Sequence, residues 1–391
     1  MGAEREMHPM TGVANRAPRP ADHGAGSAAG AAAAEQATGS AGPVTLSDVA
    51  REAGVSVATA SRAVNGGARR VREELRERVV AAAARLNYTV NTQAQATARG
   101  RTNVVGLIVH DIADPYFASI AAGVMRAAEQ HGLLVTVGGT DGRPEREVEY
   151  LAALRGQRGQ AAILAGSRVD DARIQQALSD EIAAFEAGGG RVVVISQQLL
   201  PVDTVVVENR GGARALAAEL AGRGYRRFGV LAGPRALITA RDRVEGFRDG
   251  LARAGLPAPV VVRGGFTRDG GHAAMNELLD AASGADAVDC VFAVNDVMAV
   301  GAMTACRERG LTLPDDLALA GFDDIATLRD VHPALSTVRL PLAQIGASAL
   351  DLVLTGAPGS AARQRRVKGE VVLRASTPER GLAAAPARGL R

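Results

Sequence analysis

One short helical segment carries an arginine among small side chains on the face that it does not pack. The run VTLSDVAREAGVSVATASRAVNG (44–66) has the spacing of two short helices joined by a turn at Gly54. On the outer face of the second helix, Arg62 can donate two hydrogen bonds to a guanine edge. Val57 and Ala58, on the same face, can lie against a thymine methyl group. The segment therefore predicts a helix-turn-helix that reads DNA bases in the major groove.

Other polar side chains of this segment are expected to contact the DNA backbone, because hydroxyl and amide groups bind phosphate oxygens and position a protein without specifying a sequence. The candidates are Thr45, Ser56, Thr59, Ser61 and Asn65. Thr45 and Ser56 also stand where helix caps are expected. The alternative is an ordinary helical hairpin with a solvated outer face. A third amphipathic helix after it, with Leu75 and Val79 on its apolar stripe, favours DNA reading.

Charge is concentrated around this segment. The 391 residues have a net charge of +3, whereas residues 44–103 contain ten arginines against five acidic residues. With 47% hydrophobic and 22% charged residues, the chain has the composition of a globular protein. A small basic domain joined to a larger, nearly neutral one is typical of a protein that meets phosphates.

Residues that could perform catalysis lack a productive spacing. The six histidines show no metal-ligand pattern, and Asp323 and Asp324 are adjacent rather than paired across a site. Cys290 and Cys306 lie in unrelated segments and are interpreted as buried thiols. The sequence thus predicts no enzyme, no metal and no cofactor. An enzyme on a doubly wound scaffold is an alternative interpretation, which turnover of a sugar by the protein would support.

The larger domain alternates apolar strands with amphipathic helices. Strands are predicted at 104–109, 133–137, 161–165, 192–196, 228–232, 260–262, 290–294 and 317–321. Helices are predicted at 117–131, 145–156, 211–222, 241–254, 271–282 and 297–309. This rhythm indicates an α/β fold of doubly wound parallel sheets in two lobes, attached to an all-α head. Ligands of such folds bind outside the carboxyl ends of the strands.

Composition also predicts where the domains begin and end. We expect a disordered extension over 1–43, the helix-turn-helix over 44–90, a hinge over 91–101, the two-lobed domain over 102–378 and a flexible tail over 379–391. No apolar run is long enough to span a membrane, and the Gly- and Ala-rich run 24–34 does not have the composition of a secretory signal. A cytoplasmic protein is expected.

The run TLSDVAREAGVSVATASRAVNG (45–66) resembles the head of the LacI/GalR family of bacterial repressors. The likeness continues, in the family's order, through GRTNVVGLIV (100–109), DIADPYFASIAAG (111–123), GYRRFGVLAGP (224–234), TARDRVEGF (239–247), VNDVMAVGAM (294–303), LALAGFDD (317–324), HPALSTVRLP (332–341) and LRASTP (373–378). The resemblance implies a homodimer that binds double-stranded operator DNA. It also implies a core like that of periplasmic binding proteins, which binds a small effector, most simply a carbohydrate. In the family, the positions of Val57, Ala58 and Arg62 read the bases.

The hinge is where this sequence departs from the resemblance. Family members carry Pro-Asn before the hinge helix, whereas Val90 precedes Asn91 here, and Thr97 stands where a leucine enters the minor groove. Because threonine is small and polar, it is a poor wedge between base steps, and we expect little kinking of the DNA. Arg99 and Arg101 are expected to hold the hinge by charge.

The resemblance also places an effector site between the lobes. The implied residues are Tyr116, Phe117, Arg243, Phe266, Asn295 and Asp323, joined by Ser196 and Gln197 at the end of a strand. Guanidinium, carboxylate and amide groups bind sugar hydroxyls, and aromatic rings stack on sugar faces. The alternative for Arg243 is a surface ion pair with Asp242 or Glu245, and for Phe117 it is core packing.

A solute-binding protein of a transporter is the main rival interpretation. It shares the two-lobed core but has no use for a basic head, and it requires a secretory signal. The tail after Pro378 lacks a leucine heptad, so a dimer is expected rather than a tetramer joined by a coiled coil.

Overall fold

Two compact units, divided between Val90 and Asn91, make up the chain in this computed structural model. The structure describes residues 44–65, 71–89, 100–281, 287–357 and 359–380. The predicted extension, the hinge residues up to 99 and the tail after 380 lie outside these ranges.

The first helix of the amino-terminal unit, α1 (Leu46–Ala53), begins with a reciprocal cap. The Thr45 hydroxyl accepts from the Asp48 amide at 3.4 Å, and the Asp48 carboxylate accepts from the Thr45 amide at 3.0 Å. The helix ends at Gly54, whose φ of 62° is the left-handed conformation that glycine adopts without a steric penalty. The predicted cap and turn are both confirmed.

Helices α2 (Val57–Asn65) and α3 (Glu73–Arg85) complete this unit. Ser56 begins α2 by accepting a hydrogen bond from the Thr59 amide at 3.2 Å. The three helices bury a small apolar core whose fully enclosed side chains include Val49, Ala60 and Val79. Because this core uses only the inner stripes of the helices, the outer face of α2 stays exposed.

The first lobe of the second unit is a parallel sheet in the strand order β11-β5-β4-β3-β1-β2. Its strands are β1 (Val104–Val109), β2 (Leu134–Gly139), β3 (Ala161–Ala165), β4 (Arg191–Ser196), β5 (Asp203–Val207) and β11 (Gln364–Val367). Its helices are α4 (Pro115–Glu129), α5 (Glu145–Gly156), α6 (Ala172–Ala187) and α11 (Leu342–Thr355). The central strands are buried on both faces, as a doubly wound sheet requires.

The second lobe has a smaller parallel sheet in the order β7-β6-β8-β9. Its strands are β6 (Phe228–Ala232), β7 (Val260–Arg263), β8 (Cys290–Ala293) and β9 (Ala318–Ala320). Its helices are α7 (Asn209–Gly222), α8 (Ile238–Arg253), α9 (Arg268–Ala281) and α10 (Asp296–Glu308). A short 3₁₀ helix (Ala326–Arg329) and an antiparallel pair, β10 (Thr337–Arg339) with β12 (Glu370–Val372), follow.

The chain passes between the lobes after β5, after β10 and after β11. The predicted two-lobed α/β class is confirmed, and every predicted strand has a counterpart within two residues at each end. The sequence interpretation missed α6, α11, β5 and β10 to β12. Helix α6 is long and has a sparse apolar stripe, and α11 is mostly apolar. The missed strands are only three to five residues long.

Candidate functional site

The outer face of α2 presents the three candidate base-reading side chains together. Val57 is 47% exposed, and Ala58 and Arg62 are exposed as well. The Nε of Arg62 donates to the carbonyl of Ala58 at 2.9 Å, which holds the stem of the arginine along the helix. A large apolar side chain in solvent next to an arginine is a surface suited to a partner with both methyl groups and hydrogen-bond acceptors.

The candidate backbone-contacting side chains surround this face. Thr45 and Ser56 are exposed and cap the beginnings of α1 and α2. The Ser56 hydroxyl lies 2.8 Å from the Thr59 hydroxyl. Ser61 is half-buried on α2. The side chain of Asn65 and the hinge candidates Asn91, Thr97 and Arg99 lie outside what the structure describes.

A cavity lies between the two lobes of the second unit. Of the effector-binding candidates, the ones that line it are Tyr116, Phe117, Ser196, Arg243, Phe266, Asn295 and Asp323. Gln197 does not line this cavity but accepts a hydrogen bond from the Ser196 hydroxyl at 2.8 Å. The candidates come from loops and helix starts at the carboxyl ends of strands in both sheets, where parallel sheets place their ligands.

Arg243 is the central cation of this cavity and is only 2% exposed. Its two terminal nitrogens donate to the Asp323 carboxylate at 3.2 and 2.7 Å, and its Nε donates to the Asn209 side chain at 2.9 Å. Its guanidinium also stacks 3.9 Å from the ring centre of Phe322. The alternative of a surface ion pair with a neighbour on α8 is therefore wrong, because the residue points inward.

Asp323 is held in a strained conformation opposite this guanidinium. Its φ is 117°, which lies in a region that residues other than glycine rarely adopt. Its backbone is fixed by hydrogen bonds to Val338 and Leu340 at 2.8 and 3.2 Å. Burial raises the pKa of the Asp323 carboxyl to about 7, while the neighbouring Arg243 opposes that rise. The site thus holds a preorganised, planar acceptor and donor pair.

Two aromatic residues from α4 form one wall of the cavity. Tyr116 and Phe117 pack edge to face with their ring centroids 4.9 Å apart. Burial raises the pKa of the Tyr116 hydroxyl well above its usual range, so the hydroxyl stays neutral. Phe117 is 8% exposed, and it both packs in the core of the second unit and lines the cavity.

Asn295 and Phe266 complete the second lobe's contribution. The Asn295 side chain is 2% exposed and begins α10 by accepting from the Met298 amide at 3.0 Å. Phe266 follows β7, and its ring lies close to Gly233. A Cβ on residue 233 would stand only 2.7 Å from the Phe266 ring. Glycine at this position therefore allows the ring to close over the cavity.

Direct hydrogen bonds join the lobes along one lip of the cavity. Val169 and Leu237 pair as an isolated antiparallel bridge, and the Ile238 amide donates to the Arg168 carbonyl at 3.1 Å. Arg241 and Asp170 form an ion pair across the same lip at 2.8 Å. The described conformation is therefore one in which the lobes are closed on each other at this edge.

Sequence reasoning missed several side chains of the cavity. They are His110, Asp114, Ser167, Asn209 and Thr239. Asn209 follows β5, so overlooking that strand also hid the residue at its end. His110 directly follows the predicted strand β1. Its position at the carboxyl end of that strand could have identified it as a cavity residue.

Two family models match the chain. One, described as bacterial regulatory proteins of the lacI family, matches residues 45–91, and the other, a periplasmic binding protein-like domain, matches residues 217–377. Among the described residues, none of the helices is long and apolar enough to cross a membrane.

The chain is also similar to individual proteins of known type. The HTH-type transcriptional regulator GalS of Salmonella typhimurium is 34% identical over 322 residues, covering 81% of this chain and 91% of the relative. A crystal structure of the lac repressor dimer bound to operator and the anti-inducer ONPF matches with a TM-score of 0.74 at 27% identity, covering 86% of this chain and all of that chain. A complex of the regulator CelR with cellobiose matches with a TM-score of 0.60 at 30% identity, covering 85% and 99%.

Proposed function

The chain belongs to the LacI/GalR family of transcriptional regulators, and from this premise we propose that it is a repressor whose operator affinity is controlled by a sugar. In this proposal Val57, Ala58 and Arg62 read the bases of double-stranded DNA. The sugar binds between the lobes, against Arg243, Asp323 and the surrounding residues. The rival function of a solute-binding protein leaves the basic helix-turn-helix without a role.

The observation that carries the sugar proposal is the Arg243–Asp323 pair, buried at 2% and 3% exposure and ringed by amide and aromatic side chains. A pyranose presents vicinal hydroxyls, which both donate and accept, along the edge of a ring with apolar faces. The guanidinium donates to such hydroxyls, the carboxylate accepts from them, and Tyr116 and Phe117 offer a surface for stacking. No phosphate or carboxylate on the ligand is needed to satisfy this arrangement.

The mechanism is a coupling between the two sites. A sugar that contacts both lobes stabilises their closed arrangement, and the closure alters the hinge segment 91–101 and with it the operator affinity. Effector and operator must then change each other's affinity by one common factor, typically about 5- to 150-fold. The sign of the change decides between an inducer and a corepressor.

In this proposal the three central parts of the chain have separate roles. Residues 44–90 bind DNA, 91–101 transmit the signal, and 102–378 bind the effector and pair with a second copy, while 1–43 and 379–391 flank these parts. A homodimer places two reading helices on a palindromic operator. The protein acts in the cytoplasm and on the nucleoid when bound to DNA, and it performs no catalysis.

Fluorescence anisotropy tests the proposal. The full chain is titrated against DNA from upstream of its own gene and against a scrambled duplex, at two salt concentrations, with and without sugars and nucleosides. We expect selective binding to the native duplex and a change in affinity with at least one sugar. Equal binding to both duplexes, or a response to nucleosides alone, would contradict the proposal.

A further inference from the structure

A groove of about 870 Å³ lies beside β7, the edge strand of the smaller sheet. One face of α8, the strand β7 and the loop after β6 form most of its lining. Among the described residues, none lines both this groove and the cavity between the lobes. We call it the outer groove. It is a separate feature from the proposed effector site.

Four arginines line the outer groove, and three of them lack a carboxylate partner. Arg241 forms an ion pair with Asp170 at 2.8 Å. Arg235, Arg248 and Arg263 form no ion pair within the part of the chain that the structure describes. We call these three the arginine cluster. They come from the loop after β6, from α8 and from the end of β7, so the fold brings them together from separate segments.

The members of the arginine cluster are close enough to affect one another. Arg263 is half-buried, and one of its terminal nitrogens donates to the carbonyl of Gly233 at 2.9 Å, which fixes the direction of its guanidinium. Burial lowers the pKa of Arg263, and the positive charges of Arg235 and Arg248 lower it further. The cluster is therefore a concentration of like charge at the wall of a groove.

The acidic residues of the outer groove do not neutralise this charge. Glu245 is paired with Arg210 at 3.5 Å, and Glu277, exposed on α9, forms no ion pair with any described residue. Well-exposed arginines elsewhere on this unit do have carboxylate partners, in the pairs Arg155–Glu181, Arg309–Asp280 and Arg365–Asp351. Three grouped cations without a counter-charge repel one another, and a bound anion would remove that repulsion.

We propose that the arginine cluster binds the phosphate group of a small molecule in the outer groove. Guanidinium groups donate pairs of hydrogen bonds to phosphate oxygens, and three of them on different elements can surround a tetrahedral dianion. The groove continues past the cluster along Val261 and leaves room there for the organic part of a phosphate ester. The site shares no described lining residue with the sugar site, so this inference does not rest on the proposed function.

Isothermal titration calorimetry on the full chain tests the proposal with inorganic phosphate, pyrophosphate and glycerol 3-phosphate, at constant ionic strength set by chloride. We expect at least one of them to bind, and Arg235→Gln and Arg248→Gln each to weaken that binding about tenfold, since each removes a charge-assisted hydrogen bond. Both residues are exposed, so the variants should fold normally. The bound compound should also raise the thermal midpoint of the wild type but not that of the double variant.

The matched control is Arg253→Gln, which removes the same charge from an exposed position on α8 that does not line the groove. It should leave the affinity unchanged. Tighter binding of glycerol 3-phosphate than of inorganic phosphate would assign the site to an ester, and the reverse order to the free ion.

Failure of all three compounds to bind, or an equal loss in Arg253→Gln, would overturn the phosphate site. Weaker binding of the cluster variants to a scrambled DNA duplex, without any phosphate binding by the wild type, would assign the cluster to DNA and would also overturn it. Each of these results leaves the sugar-controlled repressor untouched.

Discussion

The two binding regions of this protein are built in opposite ways. The proposed reading face of α2, which consists of Val57, Ala58 and Arg62, is exposed, with Val57 at 47%, and these side chains do not belong to the core beneath them. The cavity between the lobes, which is the proposed effector site, instead centres on Arg243, which is 2% exposed and hydrogen-bonded to residues from three separate segments. A change on the reading face should therefore alter recognition alone, whereas a change in the cavity alters recognition and stability together.

This difference follows from what each region must do. DNA supplies its own rigid shape, so a helix with an open face is sufficient to meet it. A small flexible sugar must be surrounded, and the groups that surround it are desolvated and have to satisfy one another when the ligand is absent. The Arg243–Asp323 pair meets that requirement.

Replacement of Arg243 should have the largest effect, on stability and on recognition together. An effect on recognition alone would contradict the difference between the two regions. Arg243→Ala removes the cation that opposes the raised pKa of Asp323 and leaves this buried carboxyl without its partner, so we expect the second unit to lose about 3–5 kcal/mol of stability as well as the effector response. Urea unfolding measures the first loss, and anisotropy with effector measures the second.

A double variant separates the two roles of the pair. Arg243→Met with Asp323→Asn removes both charges and keeps at position 323 a residue type that tolerates a positive φ, so part of the lost stability should return while the effector response stays absent. Recovery of the response in the double variant would mean that neither side chain contacts the ligand.

Arg62→Ala should have a smaller effect that is confined to recognition. We expect a loss of about 1–3 kcal/mol in discrimination between the operator and a scrambled duplex, with unfolding unchanged. Arg51→Ala is the control, since Arg51 is 78% exposed on α1 and its loss removes the same charge. Equal loss on both duplexes in Arg62→Ala would show that Arg62 contacts phosphates rather than bases.

Titration of the buried Asp296 carboxyl should make the stability of the second unit depend on pH. Burial raises the pKa of Asp296 to about 6, from an ordinary value of 3.8. The folded state binds this proton more tightly than the unfolded state does. The stability gained from protonated Asp296 is therefore complete below pH 3.8 and is lost as the pH rises through 6. Between pH 5 and 7.5 the stability of the wild type should fall, relative to Asp296→Asn, by on the order of 1 kcal/mol. Urea midpoints at each pH measure this, and a constant difference would contradict it.

Loss of the first helix cap should have the smallest effect. Thr45→Ala removes one partner of the reciprocal Thr45–Asp48 cap, at a cost of about 1 kcal/mol to α1, so amide exchange in its first turn should quicken about fivefold. Ser47→Ala, at an exposed neighbouring position, is the control. An effect on α1 as large for Ser47→Ala would show that the cap is not responsible.

The same contrast explains what could be read from the sequence. The reading face depends on one continuous segment, so the cap at Thr45, the turn at Gly54 and the outward side chains all followed from local spacing. Arg243 and Asp323 are 80 residues apart, and nothing local indicates that they pair. The family resemblance, rather than periodicity, put both in the cavity. Asn209 was missed because β5, the short strand before it, was missed.

The most direct test of the account is reciprocity between its two regions. The operator dissociation constant is measured with and without saturating effector, and the effector dissociation constant with and without saturating operator, on the same dimer preparation. We expect the same factor in both directions, of about 5- to 150-fold. A factor of one in both directions would mean that the cavity and the reading face act independently, and the allosteric account would be wrong.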